Sequence, residues 1–400
     1  MNFKHMIKHP TALTVLGAIG VVVLSSVAGG VTGGIVAMRI TPASSVQQGF
    51  HLPTDSTTTS VVQSGTSQAT STAAIRLVPI EMDTAAARVV PEPIFQRQSP
   101  VAVIYGHKKT GADVLLGDGD QIGKAVAVTS DGWFVTAPSV VEGWKTADLL
   151  LWQNGHAYRA EKALLDRATQ LVFIKTSAKD LPSTPFADVY SAKTGLAAWL
   201  ESSPDEYAPS AIVALRASTP VDPASSDKAV RRLVALGSVD KNDVGSPVWD
   251  SKGSLIGIVD TFADGRLFLT PASNLAASLQ SLISGTEIDH ASLGVFTLDR
   301  MLIRSTASDD VTPSRGAWIK EDKRTGRAIV KDGAAEKAGL KSGDVILRVD
   351  RDIIDGSSDL SDIILQYRSG SDVTLRVWRI DKEIDVPLKL GTQVTSEVIL

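Results

Sequence analysis

Val128-Thr129-Ser130-Asp131-Gly132-Trp133-Phe134-Val135-Thr136-Ala137-Pro138-Ser139-Val140-Val141 places a short apolar run, Phe134-Val135-Thr136, between an Asp-Gly break and a proline. The run before the break, Ala125-Val126-Ala127-Val128, is equally short. The same punctuation recurs downstream in Val172-Phe173-Ile174 and in Leu255-Ile256-Gly257-Ile258-Val259, with Gly, Asp, Asn or Pro between the runs. Short β-branched and aromatic runs bounded by turn residues are strand signals. Many of them in succession, with long helical periods scarce until about Pro271, predict a mainly β barrel or sandwich.

The chain has 400 residues, enough for two or three domains each with its own core. A net charge of -4 and a pI near 5.9, without a basic patch, exclude nucleic acid as an expected partner. There is no cysteine, which removes a thiol nucleophile, a disulfide framework and a cysteine metal site together. No His, Asp or Glu cluster has ligand spacing, so neither metal nor other cofactor is expected.

Residues 11–38 carry no charge and are rich in Val, Ile, Leu, Ala and Gly. About 20 apolar residues cross a bilayer core, so the run predicts a single transmembrane helix that is too long for a cleaved leader. Lys4 and Lys8 precede it and Arg39 follows, which puts residues 1–10 in the cytoplasm and the folded domains on the extracytoplasmic side of the cell membrane. The stretch 41–88, dominated at first by Ser, Thr, Gln and Gly, predicts a flexible linker because it buries too little apolar area to offset its ordering entropy.

Three blocks carry a resemblance. The opening stretch resembles the HtrA family of trypsin-like serine proteases at its catalytic histidine, and Ser139 falls on that histidine. Leu165-Asp166-Arg167-Ala168-Thr169-Gln170-Leu171-Val172 resembles the block of the catalytic aspartate, and Gln170 falls on it. Asn242-Asp243-Val244-Gly245-Ser246-Pro247 stands where the family carries Gly-Asn-Ser-Gly-Gly-Pro, with Val244 at the nucleophile. The resemblance covers 89–285 and implies a trypsin-like double β-barrel.

The triad chemistry needs an oxygen nucleophile, an imidazole base and a carboxylate that orients it. Val244 has no hydroxyl, Ser139 is far too weak a base, and Gln170 is neutral. Asn242 replaces the loop's first glycine, and Asp243 adds an anion beside the site of a developing oxyanion. No catalytic residue is therefore expected, and the implied reading is a pseudoprotease. An active endopeptidase with a displaced apparatus is the alternative, with Ser246 as its nucleophile and only His107 and His156 in the domain as imidazoles. Both histidines read as solvated loop or turn residues.

From 290 to 391, Gly333-Ala334-Ala335-Glu336-Lys337-Ala338-Gly339-Leu340-Lys341-Ser342-Gly343-Asp344-Val345-Ile346 resembles the PDZ domain that follows the protease domain in HtrA proteins. PDZ capture adds an extended peptide to a sheet edge and holds its terminal carboxylate on backbone amides. Ser292, Leu293, Gly294 and Val295 fit that loop, and Leu360 and Ile364 are assigned to the groove wall. The expected partners are peptide C-termini or unfolded proteins, and the family resemblance implies a homo- or hetero-trimer. The expected role is envelope protein quality control or regulation of an active homologue; a structural envelope tether is a further alternative. The tail 392–400 ends in an apolar free C-terminus, itself the ligand type of such a groove, and is expected either to fray or to occupy one.

Overall fold

The structure is a computed structural model that describes residues 90–108, 115–182, 184–188, 192–217, 222–284, 287–303 and 313–400. The expected span 11–38 and the linker 41–88 lie outside the described residues. Among the described residues, no helix is long and apolar enough to cross a membrane.

A short helix, α1 (Glu92–Phe95), buries Ile94 and leads into the first barrel. That barrel comprises β1 (Val101–Gly106), β2 (Gln121–Ala127), β3 (Trp133–Thr136), β4 (Leu149–Gln153), β5 (His156–Asp166) and β6 (Leu171–Thr176). The strands run antiparallel in the order β5-β4-β1-β2-β3-β6, and β5 pairs with β6 to close the sheet. Helix α2 (Pro138–Val141) follows β3 directly. Asn154 and Gly155 form the two-residue hairpin between β4 and β5, with exposed His156 just after it.

Successive side chains on a strand point to opposite faces, so a run apolar at every position has both faces buried. Ala125, Phe134, Val172 and Ile174 face one core, with Val140, Leu149 and Leu151. Val126, Val135 and Phe173 face another, shared with the second barrel. Each fully buried large side chain contributes about 1.5–3 kcal/mol.

The second barrel closes in the order β10-β13-β12-β11-β7-β8. Its strands are β7 (Ala197–Ser203), β8 (Glu206–Ala214), β10 (Leu233–Leu236), β11 (Pro247–Trp249), β12 (Leu255–Ala263) and β13 (Arg266–Pro271). Between β8 and β10 the chain leaves the barrel to form β9 (Ala224–Ser225). Helix α3 (Ala272–Ser284) starts where the helical period was predicted and packs Leu275, Leu279 and Leu282 on the shared core.

The last domain has β14 (Asp289–Ser292), β15 (Phe296–Asp299), β16 (Ala317–Ile319), α4 (Ala334–Lys337), β17 (Val345–Val349) and β18 (Asp352–Ile353). It continues with α5 (Leu360–Ile364), β19 (Asp372–Arg379), β20 (Lys382–Lys389), β21 (Gly391–Val394) and β22 (Ser396–Val398). Its sheet runs β20-β19-β17-β16-β15-β9, so its edge strand comes from the preceding domain. β21 pairs with β14, while β22 returns to β5 of the first barrel.

The tail departs from both expectations: it neither frays nor enters a groove. Strand β4 covers only the first part of β5, leaving an edge that β22 extends with Glu397 opposite Leu165. Ile399 then donates its backbone N–H to the Ala163 carbonyl at 3.0 Å and packs on the first barrel's core.

Candidate functional site

The three aligned positions line two adjoining cavities that share Ser139. Helix α2 sets Ser139 on their shared rim, the turn from β5 to β6 brings Gln170, and a 3-10 turn over Lys241–Asp243 delivers Val244. A cavity of about 530 Å³ is lined by Ser139, Gln170, Arg232, Asp260 and Ile399. An adjoining one of about 240 Å³ is lined by Ser139, Asn242 and Val244. No histidine lines either cavity. Gln170 has a positive φ of 59° and turns its amide back to donate to the Arg167 carbonyl at 2.9 Å. Val244 is buried against the first barrel's core, where its methyl groups belong energetically. The Arg232–Asp260 pair, 2.8 Å apart, was not foreseen; no motif surrounds either residue in the sequence.

The loop around Val244 satisfies its own amides. Asn242 N–H donates to Asp240 Oδ1 at 2.7 Å, Asp243 N–H to the Asp240 carbonyl at 3.1 Å, and Val244 N–H to the Lys241 carbonyl at 3.5 Å. Gly245 N–H donates to the Val259 carbonyl at 2.8 Å and Ser246 N–H to the Asp243 carbonyl at 3.1 Å. Gly245 has φ +91°, and a Cβ there would stand 2.0 Å from the Lys124 carbonyl oxygen, so only glycine fits.

Two sequence expectations change, one at this loop and one at the end of β1. Asp243 is not a bare anion: Lys124 Nζ, almost wholly buried, lies 3.7 Å from its Oδ1. Burial lowers the Lys124 pKa and raises that of Asp243, each opposed by the charge of the other. His107 is not a solvated loop residue either; its Nε2 is buried without a hydrogen-bond partner among the described residues, and its backbone N–H donates to the Asp148 carbonyl at 2.8 Å. Ser246 is fully buried, and its hydroxyl has no hydrogen-bond partner among the described residues.

At the other predicted site, Leu293 N–H and Gly294 N–H both donate to Asp227 Oδ1, at 3.0 and 3.1 Å, and the Ser292 hydroxyl donates to Asp227 Oδ2. Gly294 has φ +79°, which aims these consecutive amides at one acceptor. The Leu293 and Val295 side chains are core, so the loop offers its backbone. Leu360 lines the groove between β15 and α5, while Ile364 turns wholly into the core. The space left in that groove is about 40 Å³, with Ala224 and Ser225 among its walls.

A profile described as a PDZ domain matches residues 302–390. A probable periplasmic serine endoprotease, DegP-like, of Halomonas elongata is 27% identical over 291 residues, which is 69% of this chain and 58% of that protein. The chain is HtrA-like, with a C-terminal PDZ domain. A serine protease Do-like HtrA of Lactobacillus helveticus is 26% identical over 277 residues, 65% of each chain. The HtrA-like chain thus spans about three fifths of the length of such relatives. The solved structure of the HtrA-type protease AlgW with decapeptide superposes with a TM-score of 0.51 at 19% identity, covering 77% of this chain and 98% of that one. At that identity the likeness speaks for the fold.

In this HtrA-like chain the turn that carries Gln170 is held by a buried carboxylate. Asp166 accepts from Thr169 (2.7 Å), Ser278 of α3 (2.6 Å), Thr395 (2.7 Å) and the Ala168 N–H (2.9 Å), with His290 Nε2 at 2.8 Å. Burial alone would raise its pKa, yet the hydrogen bond and charge of His290, with Ser278 and Thr395, hold it well below the usual carboxylate range. Asp166, Ser278 and His290 share residue types with a protease triad, but all three are shut from solvent and the serine bonds the carboxylate instead of the imidazole.

Proposed function

We propose that this HtrA-like chain is a pseudoprotease that captures peptides through its PDZ domain. The observation that carries this is that Ser139, Gln170 and Val244 line two adjoining cavities joined at Ser139, with no imidazole in the lining of either. Without a nucleophile, a base or an orienting carboxylate at those positions, the triad mechanism has no first step. The internally bonded amides of Asn242 and Val244 add to this, because an oxyanion hole needs donors free to meet developing charge. A displaced nucleophile at Ser246 finds no support in a side chain with no exposure.

A bound peptide would use the loop Ser292–Val295 and the groove wall at Leu360; the structures of the HtrA-type protease AlgW with decapeptide and with tripeptide concern that other protein and lend the analogy. A single-pass anchor at 11–38 with the folded domains outside the cytoplasm, a trimeric state, and a role in envelope quality control or in tuning an active homologue belong to the same proposal, resting on sequence alone. The test is fluorophosphonate labelling of the purified full chain beside an active relative, with casein as substrate. No label and no hydrolysis are expected; labelling of any serine would overturn the pseudoprotease reading.

A further inference from the structure

The PDZ groove already contains a ligand-like segment. β9 lies antiparallel on β15, with Ser225 opposite Phe296 and Ala224 opposite Thr297, so it runs toward the carboxylate loop. Ser226 N–H donates to the Val295 carbonyl at 2.8 Å, and Val295 N–H donates to Ser226 Oγ at 3.2 Å. Asp227 then places its side-chain carboxylate on the Leu293 and Gly294 amides and the Ser292 hydroxyl, and is almost wholly buried there. Strand addition ending in a carboxylate held by backbone amides is the chemistry of C-terminus capture. Here an internal residue supplies the carboxylate, and the main chain continues at Lys228.

The segment is anchored on both sides of this contact. Arg216 pairs with Asp359 at the start of α5 and lies 3.5 Å from Asp299 of β15. Arg231 lies 3.5 Å from Asp362 of α5, both buried. Ala229 donates its N–H to the Ala168 carbonyl at 2.8 Å and packs between Ala168 and Leu365. A cavity of about 720 Å³ is lined by Asp227 itself, by Asp332, and by Lys331, Lys337 and Lys389; the three lysines favour the approach of an incoming carboxylate.

We infer that Ala224–Asp227 is a built-in competitor of the PDZ groove, and that an external peptide binds by exchanging its free C-terminal carboxylate for that of Asp227. This deepens the peptide-capture reading above and rests on it. A tethered occupant weakens the apparent affinity for outside ligands by the fraction of time the groove is open, so a groove open about 10% of the time binds about tenfold more weakly than a free one.

The chain has no cysteine, so an engineered pair is unambiguous. Phe296 directs its N–H and carbonyl away from Ser225, to Ala328 and Lys320, which makes Ser225 and Phe296 a non-hydrogen-bonded antiparallel pair, the closer type and within disulfide reach. In the full chain carrying S225C and F296C, oxidation should lower the binding of fluorescent decapeptides with free apolar C-termini by about tenfold or more, and reduction should restore it. D227A should tighten binding of the same probes by about tenfold over wild type, with D227N in the same direction, and amidated probes should not bind. Independently of any peptide, amide exchange at Leu293 and Gly294 should be protected in wild type and faster in D227A. Should D227A lose protection throughout β17 as well, D227N and the cysteine pair carry the test. Equal exchange at Leu293 and Gly294 in wild type and folded variant, or peptide affinity unmoved by both the oxidised pair and D227N, overturns the competitor. A clear exchange difference with no probe bound by any variant leaves the competitor standing and removes peptide capture instead.

Discussion

His290 Nε2 lies 2.8 Å from the Asp166 carboxylate, tying the first strand of the PDZ domain to the turn that carries Gln170. Through Ser278 and Thr395 the same carboxylate also holds α3 and the returning C-terminal segment. Four separated pieces of chain therefore share one buried anion.

Removing that anion should loosen the junction. D166A leaves buried donors from Thr169, Ser278 and Thr395 unmatched, and an expected loss of about 3–5 kcal/mol should be read from urea unfolding. Because the Asp166 pKa is depressed in the folded chain, its contribution is present above the unfolded value near 4 and is lost as pH falls below it. Thermal unfolding of wild type should thus drop steeply below about pH 4, and D166N should be flatter across that window.

Glu201 has the same role within the second barrel. Fully buried, it accepts from Arg97 at 2.9 Å, Trp249 Nε1 at 2.8 Å and Ser99 at 2.5 Å, while the Arg97 guanidinium stacks 3.3 Å above the Trp249 ring. E201A strands a partly buried cation and an indole N–H, so a destabilisation of about 3–5 kcal/mol is expected in chemical denaturation, with E201Q costing less.

Deleting residues 396–400 removes β22 and Ile399 and bares the edge of β5. A loss of about 1–3 kcal/mol is expected, together with self-association in light scattering, because an unpaired edge recruits other strands. Affinity of the PDZ groove for external peptides should not change, since the tail lies on the first barrel; a rise would show that it also visits the groove.

Restoring a nucleophile alone should not restore cleavage. V244S supplies a hydroxyl with neither base nor carboxylate, and casein hydrolysis is expected to stay at background. The triple variant S139H, Q170D, V244S should remain slow while Asn242 N–H is bound to Asp240; adding D240A should raise its rate, one oxyanion donor being worth about a hundredfold or more. A triple variant as fast with Asp240 as without it would show that this hydrogen bond does not gate the loop.

Much of the fold was legible because its signals are local. Apolar runs such as Val172-Phe173-Ile174 announce strands buried on two faces, and Asn154-Gly155 announces a hairpin. Gly294 announces a backbone that only glycine adopts easily. The wall residues were less legible: Leu360 and Ile364 are both apolar positions of one short helix, and only packing separates groove from core. Lys124 beneath Asp243 was not legible at all, since a charged residue within a strand pattern does not disclose its partner 119 positions away.

By itself the sequence determined a β-rich chain with two families of blocks, the residue types Ser139, Gln170 and Val244 on which the proposed loss of protease chemistry rests, and a glycine loop at Leu293-Gly294 suited to a carboxylate. Only the tertiary structure decided what fills that loop and where the chain ends. The contact from Asp227 to Gly294 spans 67 residues and that from Thr146 to Ile399 spans 253. Both side-chain contacts accompany a strand added to a sheet edge, β9 on β15 and β22 on β5, and an open edge is a property of the assembled sheet, not of any stretch of residues.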